Sequence, residues 1–447
     1  MNMKIDTNRR FFIKTLGCKV NQYESQAMRE LLINAGFKEC LAKDTADIYI
    51  LNTCTVTRKA DSESRYWAGI FHKTNPNAKI VLTGCAVENN ADAFSFLPGV
   101  SNIIKNNDKI RIIDIITNNS TAQYPIPDTQ CRSRRFLKIT DFKDHTKAFV
   151  KIQDGCANAC SYCKVPSVRG GSVSRPLHDI IEEVETLVSK GFEEIVLTGI
   201  CLGAWGSDPA QKKSVIDVLK AIYEIPGIFR IRLSSIEPKY VTDELIEYIS
   251  QNKKICRHLH IPIQSGDDEI LGRMNRPYRS VDIRTLITKV RKKIGDAGIT
   301  TDVLLGFPGE TDKNFRNTVD LIKDILPVKT HIFSFSKRDG TAACAMSGIV
   351  PEDEIKRRFQ SMKIAAITAS YLYRELFLKK LVDVLVESKK ERHSGRLTGY
   401  SDNYIKVIFD GPDSLMKKIV PVRIEELNLS YTMGSYVELD HVPYKST

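Results

Sequence analysis

No run of about 18 apolar residues occurs in the 447-residue chain, so no segment has the make-up of a membrane-spanning helix. The opening stretch, MNMKIDTNRRFFIKTLGC, is basic but lacks an apolar core long enough for a secretory signal, and the expected location is the cytoplasm. A second C-x2-C pair is also missing, since only Cys160 and Cys163 have that spacing. Structural zinc usually rests on two such elements. There is no internal repeat and no low-complexity segment. With 42% hydrophobic and 27% charged residues, the composition excludes a disordered tail, a collagen-like fibre and a small disulfide-stapled scaffold.

What is present is cysteine and a local excess of positive charge. Eleven cysteines in a compartment that keeps thiols reduced point to metal, cluster or catalytic chemistry rather than disulfides. The net charge is +12, and residues 131–176 alone hold 10 basic and 3 acidic side chains. That window therefore carries more than half of the surplus in a tenth of the chain. A field of this kind attracts phosphates and steers polyanions. A solvated basic linker is the other reading, because Arg132, Arg134 and Arg135 follow a polar stretch.

At roughly 150 residues per domain the length allows about three domains. Apolar strand-like runs at 11–16, 48–51 and 80–82 alternate with helical spacing at 22–35 and 57–73, which predicts a parallel-sheet α/β domain. Residues 118–134 read as a linker. Beyond it, strands are expected at 148–152, 195–198, 230–234, 259–263, 301–305 and 331–335. Helices are expected at 177–190, 214–223, 242–251, 281–297 and 311–325. Six βα units suffice for a partial TIM barrel, short of a closed eight-fold one. A long helix over 352–381 leads to short strands near 382–387, 404–409, 417–424 and 435–440, a small antiparallel β-barrel. The expected class is thus α/β, with domains at 1–130, 131–373 and 374–447.

The densest motif is QDGCANACSYCKVP, a C-x3-C-x2-C loop formed by Cys156, Cys160 and Cys163 directly after a strand. Three thiolates so close can hold three irons of a cubane and leave the fourth open. Zinc is the competing ligand, disfavoured by the missing second pair. Cys18, Cys54 and Cys85 match no compact motif, yet each stands just past the end of a predicted strand. In a parallel sheet those loops emerge on one edge, and glycine before two of the cysteines allows close backbone approach. They form either a second three-cysteine site or three small buried hydrophobes. Cys40, Cys131, Cys201, Cys256 and Cys344 are read as structural, with Cys201 the least certain of them.

The C-x3-C-x2-C loop on the first strand of a six-unit partial barrel resembles the radical S-adenosylmethionine superfamily. TLGCKVNQYES, LNTCTVT, VLTGC, RLSSIEP, LHIPIQSGDDEILGRMNRPY, LLGFPGET and HIFSFSKRDGT resemble its methylthiotransferase family, and LTGYSDNYIKV resembles the OB-like TRAM domain that closes such enzymes. The GCKVN start is similar to the branch acting on N6-threonylcarbamoyladenosine in tRNA. The isopentenyladenosine branch tends to GCQMN and the ribosomal-protein branch to GCPKN. The resemblance implies two [4Fe–4S] clusters, one on Cys156, Cys160 and Cys163 and an auxiliary one on Cys18, Cys54 and Cys85, all six counted as catalytic. It places S-adenosylmethionine against Tyr162, Thr198, Gly199, Ser235, Glu237 and Gln264. It implies a 2-methylthio product at position 37 of the tRNA anticodon stem-loop, and an electron donor such as flavodoxin or ferredoxin. Lys164, Cys201 and Ser167-Val168 depart from the family pattern near the expected pocket. The competing activities are methylthiolation of isopentenyladenosine or of a ribosomal-protein aspartate. A non-enzymatic RNA-binding electron carrier is the third, poorly suited to clusters with open irons. In the C-terminal barrel, Lys389, Lys390, Arg392, Lys417 and Lys418 offer a basic face for RNA, against a neutral packing module.

Overall fold

The computed structural model describes residues 9–41, 43, 46–55, 58–118, 136–143, 145–207 and 213–438. Cys131, Arg132, Arg134, Arg135 and nearly all of the expected linker fall outside these. The chain gathers into two units, each built from separated stretches. The first comprises residues up to 140 together with 151–179 and 336–344, and the second comprises 141–150, 180–335 and 345 onward.

The first unit is organised by a five-stranded sheet. Its elements are β1 (Arg10–Thr15), α1 (Lys19–Asn34), β2 (Lys38–Glu39), β3 (Ile48–Thr53), α2 (Arg58–Thr74), β4 (Lys79–Gly84), α3 (Cys85–Asn89), α4 (Asp92–Ser95), β5 (Val100–Ile104) and α5 (Ile112–Asn118). The strand order is β2-β1-β3-β4-β5 with every pairing parallel. Central β3 is buried at all six positions. Its alternate residues feed two cores, Tyr49 and Leu51 on the face that holds Phe71 of α2, and Ile48 and Ile50 on the face that holds Met28 and Leu32 of α1. Tyr49 stacks on Phe71 with ring centroids 4.5 Å apart. Helix α1 starts three residues before the expected position because Asn21, Glu24 and Gln26 are buried polar residues that break the apolar period. β2 and β5 have no counterpart in the sequence reading. To this unit also belong β7 (Gln153–Asp154), α6 (Val165–Arg169) and β8 (Val173–Ser174), with β7 and β8 paired antiparallel.

In the second unit, β6 (Ala148–Lys151, its last residue counted with the first unit), β9 (Glu194–Thr198) and β10 (Arg230–Leu233) form one sheet in the order β10-β9-β6. β11 (His258–His260), β12 (Gly298–Leu305) and β13 (Lys329–Ser334) form another in chain order. The bridges Ile231 to Ile255 and Ser235 to His260 join the two. The six strands therefore follow one another as an open arc, the partial barrel that six βα units predict. The helices are α7 (Leu177–Ser189), α8 (Val215–Tyr223), α9 (Asp243–Gln251), α10 (Asp268–Arg273), α11 (Ser280–Ile294) and α12 (Asp312–Ile325). Side-chain caps at Ser214, Thr242, Asp267 and Thr311 start four of them, satisfying amide donors that a helix leaves unpaired.

The long helix α13 (Glu352–Glu375) ends before 381, and Lys379, at φ 63°, turns the chain into a five-stranded closed barrel. Its strands are β14 (Leu381–Val386), β15 (Leu397–Ser401), β16 (Lys406–Asp410), β17 (Ile419–Leu427) and β18 (Thr432–Tyr436). Closure comes from a parallel pairing of β16 with β18, so the barrel is not purely antiparallel as expected. β15 had no counterpart in the sequence reading. A buried charge group holds the barrel within this unit. Glu194 accepts from Arg230 (2.7 Å) and Arg232 (2.9 Å). Those arginines also donate to the carbonyls of Asp383, Tyr400, Ser401 and Asp402. Burial pushes the Glu194 carboxyl up, but the two guanidinium groups hold it well below the usual range. No helix among the described residues is long and apolar enough to cross a membrane.

Candidate functional site

Three cysteine loops meet at one edge of the first unit's sheet. Cys18 caps the N-terminus of α1, Cys54 follows β3, and Cys85 is the first residue of α3. Gly17 has φ +90°, and a Cβ built there would lie 2.6 Å from Cys54 Sγ, so only glycine lets the first loop touch the second. Gly84, at φ +99°, packs in the same way on Thr53, where a Cβ would lie 2.4 Å from the carbonyl oxygen. Asn21 locks the loops together by donating to Leu16 O (2.8 Å) and Thr53 O (2.9 Å). Cys54 and Cys85 are buried, and Cys18 keeps solvent exposure as a residue. Even so, the protein packed around the Cys18 thiol pushes its pKa up, against the pull of Arg169 and with a further push from Cys85 and Glu24.

Beside the three thiols lies a buried charge network that the sequence reading missed. Glu24 accepts from Lys109, from Lys151 at 2.6 Å and from Arg169 at 2.6 Å. Lys151 also pairs with Asp154 at 2.6 Å. Burial would push the Glu24 carboxyl up, yet Arg169, Lys109 and Lys151 hold it well below the usual carboxylate range. Arg169 turns its Nε toward Cys85 Sγ (3.3 Å) and donates from Nη2 to Asn21 Oδ1 (2.7 Å). Three cations against two carboxylates leave one surplus positive charge beside the sulfur of Cys85. That surplus suits an anionic group held on these cysteines, as an iron–sulfur cluster would be. The only sequence signal for the network was Asn21 and Glu24, one turn apart at the start of α1, within a motif otherwise used as a family signature.

The C-x3-C-x2-C loop belongs to the same unit. Gly155, at φ +72°, runs so close to Gly171 that a Cβ would lie 2.0 Å from its carbonyl oxygen, and Cys156 N donates to Gly170 O (3.0 Å). The pairing of β7 with β8 closes the loop at its base. Backbone N–H groups of Asn158 and Val165 point at the sulfurs of Cys156 and Cys163, 3.4 Å in each case, a polarity that favours thiolates. Ala343 N donates to Ser161 O (2.8 Å), and Arg338 donates to the carbonyl of Thr55 (2.6 Å), the residue after Cys54. The segment 336–344 thus braces both sets of cysteines. Tyr162 is half-buried in this loop.

Of the residues expected to meet S-adenosylmethionine, the second unit holds Thr198, Gly199, Ser235, Glu237 and Gln264. All lie at or just beyond the carboxyl ends of β9, β10 and β11, the edge where βα proteins bind ligands. Gln264 has φ 66° and bridges to Val303 of β12. Glu237 forms an ion pair with Arg276, whose Nε donates to Tyr278 Oη (2.7 Å). Cys201 is buried at the start of a short 3-10 turn, and Cys40 and Cys256 are buried in the core. Burial pushes the Cys256 thiol up to about 12 despite Arg232, leaving it inert as a nucleophile.

Three family models match: the Radical SAM superfamily at residues 150–322, the uncharacterized protein family UPF0004 at 10–104 and the TRAM domain at 378–437. Threonylcarbamoyladenosine tRNA methylthiotransferase MtaB of Bacillus subtilis (strain 168) is 34% identical over 431 residues, covering 95% of this chain and 96% of its own. The protein of that name from Thermotoga maritima is 38% identical over 400 residues, 89% and 91% of the two chains. A tRNA-2-methylthio-N(6)-dimethylallyladenosine synthase of Clostridium tetani is 35% identical over 444 residues, 95% of each. Among solved structures, the radical S-adenosylmethionine methyltransferase TsrM from Kitasatospora setae superposes with a TM-score of 0.57 at 15% identity, covering 75% of this chain and 77% of its own, a likeness of fold alone. Full-length kinship to these relatives, carried by a chain with both cysteine sets intact, makes it a member of the radical S-adenosylmethionine methylthiotransferase family, which works with S-adenosylmethionine and [4Fe–4S] clusters.

Proposed function

We propose that this protein methylthiolates tRNA, placing a methylthio group on C2 of N6-threonylcarbamoyladenosine at position 37 of the anticodon stem-loop. The observation that carries the reading is that one compact unit holds both three-cysteine sets, tied by Arg169, six residues past Cys163, to the sulfur of Cys85. An adenine C2–H is neither acidic nor electrophilic, so proton-transfer chemistry does not open it. When bound, S-adenosylmethionine and the two clusters supply a carbon radical, sulfur and methyl. The protein's own part is to hold and shield these groups. Cys156, Cys160 and Cys163 ligate the radical-forming cluster. Tyr162, Thr198, Gly199, Ser235, Glu237 and Gln264 seat its cofactor, and Cys18, Cys54 and Cys85 hold the auxiliary cluster. An electron donor of the flavodoxin or ferredoxin class feeds the site, and a tRNA substrate places the enzyme in the cytoplasm.

Mass spectrometry of tRNA nucleosides tests the substrate. Cells lacking the protein are expected to lose the 2-methylthio form of threonylcarbamoyladenosine while the unthiolated nucleoside accumulates. Loss of 2-methylthio-isopentenyladenosine instead would favour the second reading, for which the Clostridium tetani relative speaks at comparable identity.

The C-terminal barrel contributes tRNA affinity in this proposal. Lys389, Lys390, Arg392, Lys417 and Lys418 are all exposed, and the ladder bond from Lys417 N to Val386 O brings their two segments side by side. Lys390 and Lys418 are paired with Asp413 and Glu193, so Lys389, Arg392 and Lys417 are the better probes. Truncating the barrel would strand Arg230 and Arg232. Changing all three probes to glutamate is expected to weaken tRNA binding about tenfold or more and to flatten its salt dependence by about three counterions, leaving cofactor cleavage unchanged. Filter binding across a salt series reads this directly, and unchanged affinity would make the barrel a packing module.

A further inference from the structure

The segment 336–344 is bonded to both cysteine loops, and one side chain that the proposed chemistry does not use rests on it. Lys164 follows Cys163 directly, stands just before α6 and is half-buried. A Cβ built on Gly340, at φ +77°, would lie 3.2 Å from Lys164 Nζ, so the ammonium sits on the backbone of that glycine. Gly340 belongs to a turn in which Thr341 donates to Arg338 O from its amide (3.1 Å) and from its hydroxyl (2.7 Å). The turn is pinned on both sides. Arg338 donates to Thr55 O (2.6 Å), one residue past Cys54, and Ala343 N donates to Ser161 O (2.8 Å), two residues before Cys163. Lys164 Nζ is thereby held at the bridge that joins the two cysteine loops, and all of these residues belong to the first unit.

The surrounding charges single this lysine out. Glu24 takes Lys109, Lys151 and Arg169, and Asp154 takes Lys151 and Arg169. Arg338 pairs with Asp61 at 2.8 Å. Each of those cations has a carboxylate. The ammonium of Lys164 has neither a carboxylate nor a hydrogen-bond acceptor among the described residues. The network beside Cys85 is itself one positive charge in surplus, so it has no carboxylate left over for Lys164. A half-buried ammonium without a partner has given up hydration for nothing in return, and an incoming anion supplies what it lacks.

We infer that Lys164 binds the carboxylate of the N6 substituent on the target adenosine, with its ammonium as the donor. This deepens the proposed function and rests on its threonylcarbamoyl reading. C2 and C6 of adenine flank the same ring nitrogen, so a base whose C2 is presented to both clusters brings its N6 substituent into the same neighbourhood. The threonylcarbamoyl group carries a carboxylate at its far end, and a compact ammonium on a flexible four-carbon stem suits such a terminal anion. An isopentenyl group carries no charge and would cover the ammonium without pairing it, the arrangement by which a polar site rejects an apolar analogue. The carboxylate of S-adenosylmethionine and an RNA phosphate share this chemistry, and the test separates the three sources.

The test compares reconstituted full-length wild type, Lys164→Met and Lys164→Arg on an anticodon stem-loop RNA bearing N6-threonylcarbamoyladenosine, its methyl ester or unmodified adenosine. The wild type is expected to show a KM at least about tenfold lower for the free carboxylate than for the ester. K164M should raise KM for the carboxylate form about tenfold and lose that preference, with a smaller effect on kcat. K164R, which keeps the charge, should retain most of it. Iron content, reductive cleavage of S-adenosylmethionine and affinity for the unmodified RNA should be the same in all three proteins. A preference for the free carboxylate that survives in K164M would overturn the inference. So would a parallel fall in affinity for unmodified RNA, which assigns Lys164 to a phosphate, or a raised requirement for S-adenosylmethionine, which assigns it to the cofactor. If the wild type fails on threonylcarbamoyl RNA but methylthiolates isopentenyl RNA, the functional reading has failed and the inference with it. Normal wild-type turnover of threonylcarbamoyl RNA with an equal KM for its ester removes the inference alone.

Discussion

Alanine at Cys54 is expected to abolish methylthiolated product, by at least about 100-fold, while leaving reductive cleavage of S-adenosylmethionine intact. The expectation follows from how the two cysteine sets are built. Cys54 Sγ sits against Gly17 and between the loops of Cys18 and Cys85, so its loss removes one of the three thiols proposed to hold the auxiliary cluster at the sheet edge. The other loop owes its shape to bonds of its own, Cys156 N to Gly170 O and Ala343 N to Ser161 O, together with the pairing of β7 and β8. None of these passes through Cys54. The substitution removes a single buried atom, a cost of about 1 kcal/mol that the fold absorbs. Iron content should fall to roughly half, the share of one cluster in two. The measurement is paired: 5′-deoxyadenosine for the cleavage and 2-methylthio nucleoside for the product. Full product formation by C54A would sink the two-cluster scheme, and loss of both signals would place Cys54 in the radical-forming site.

Much of this was legible in the sequence because its signals are local. A C-x3-C-x2-C loop depends on eight consecutive residues, and the strand runs that set the six-strand arc are continuous. Convergence of Cys18, Cys54 and Cys85 was readable for a different reason: a parallel sheet sends every strand's carboxyl end to one edge, so three post-strand cysteines meet once the strands are known. The buried charge network was not legible. Glu24, Lys109, Lys151 and Arg169 lie as far as 145 residues apart, and each alone resembles a solvated surface charge. Their pairing is a product of the tertiary fold. Burial of Asn21 and Glu24 also blurred the apolar period that should have marked the first turn of α1. The short strands β2, β5 and β15 escaped because two to five residues carry too little periodicity. Barrel closure by a parallel β16–β18 pair was hidden because register between non-adjacent strands leaves no local mark.

The network makes opposite predictions for its two central members. Glu24→Gln leaves Lys109, Lys151 and Arg169 facing Asp154 alone, an excess of two buried positive charges. Removing one partner of a buried pair in this way costs about 3–5 kcal/mol. Arg169→Gln instead leaves two cations against two carboxylates, which balance, so the apoprotein should stay within about 2 kcal/mol of wild type. Its deficit appears elsewhere. Without Arg169 Nε, 3.3 Å from the sulfur, Cys85 loses a charged donor. Donors of this kind raise a cluster's reduction potential and fix its ligand. R169Q is therefore expected to lower the potential of the auxiliary cluster and speed its loss of iron, with cofactor cleavage retained. Because Glu24 titrates well below the usual carboxylate range, its pairs stabilise the fold above the ordinary pKa of about 4.3 and are lost only as pH falls through the lower native value. E24Q should thus lose the acid-side decline that Glu24 contributes, starting from a lower plateau. Denaturant unfolding of the apoproteins from pH 3 to 7, with redox titration of the reconstituted forms, separates the two effects. If R169Q proves as unstable as E24Q and its cluster potential does not move, charge balance is not what organises this site.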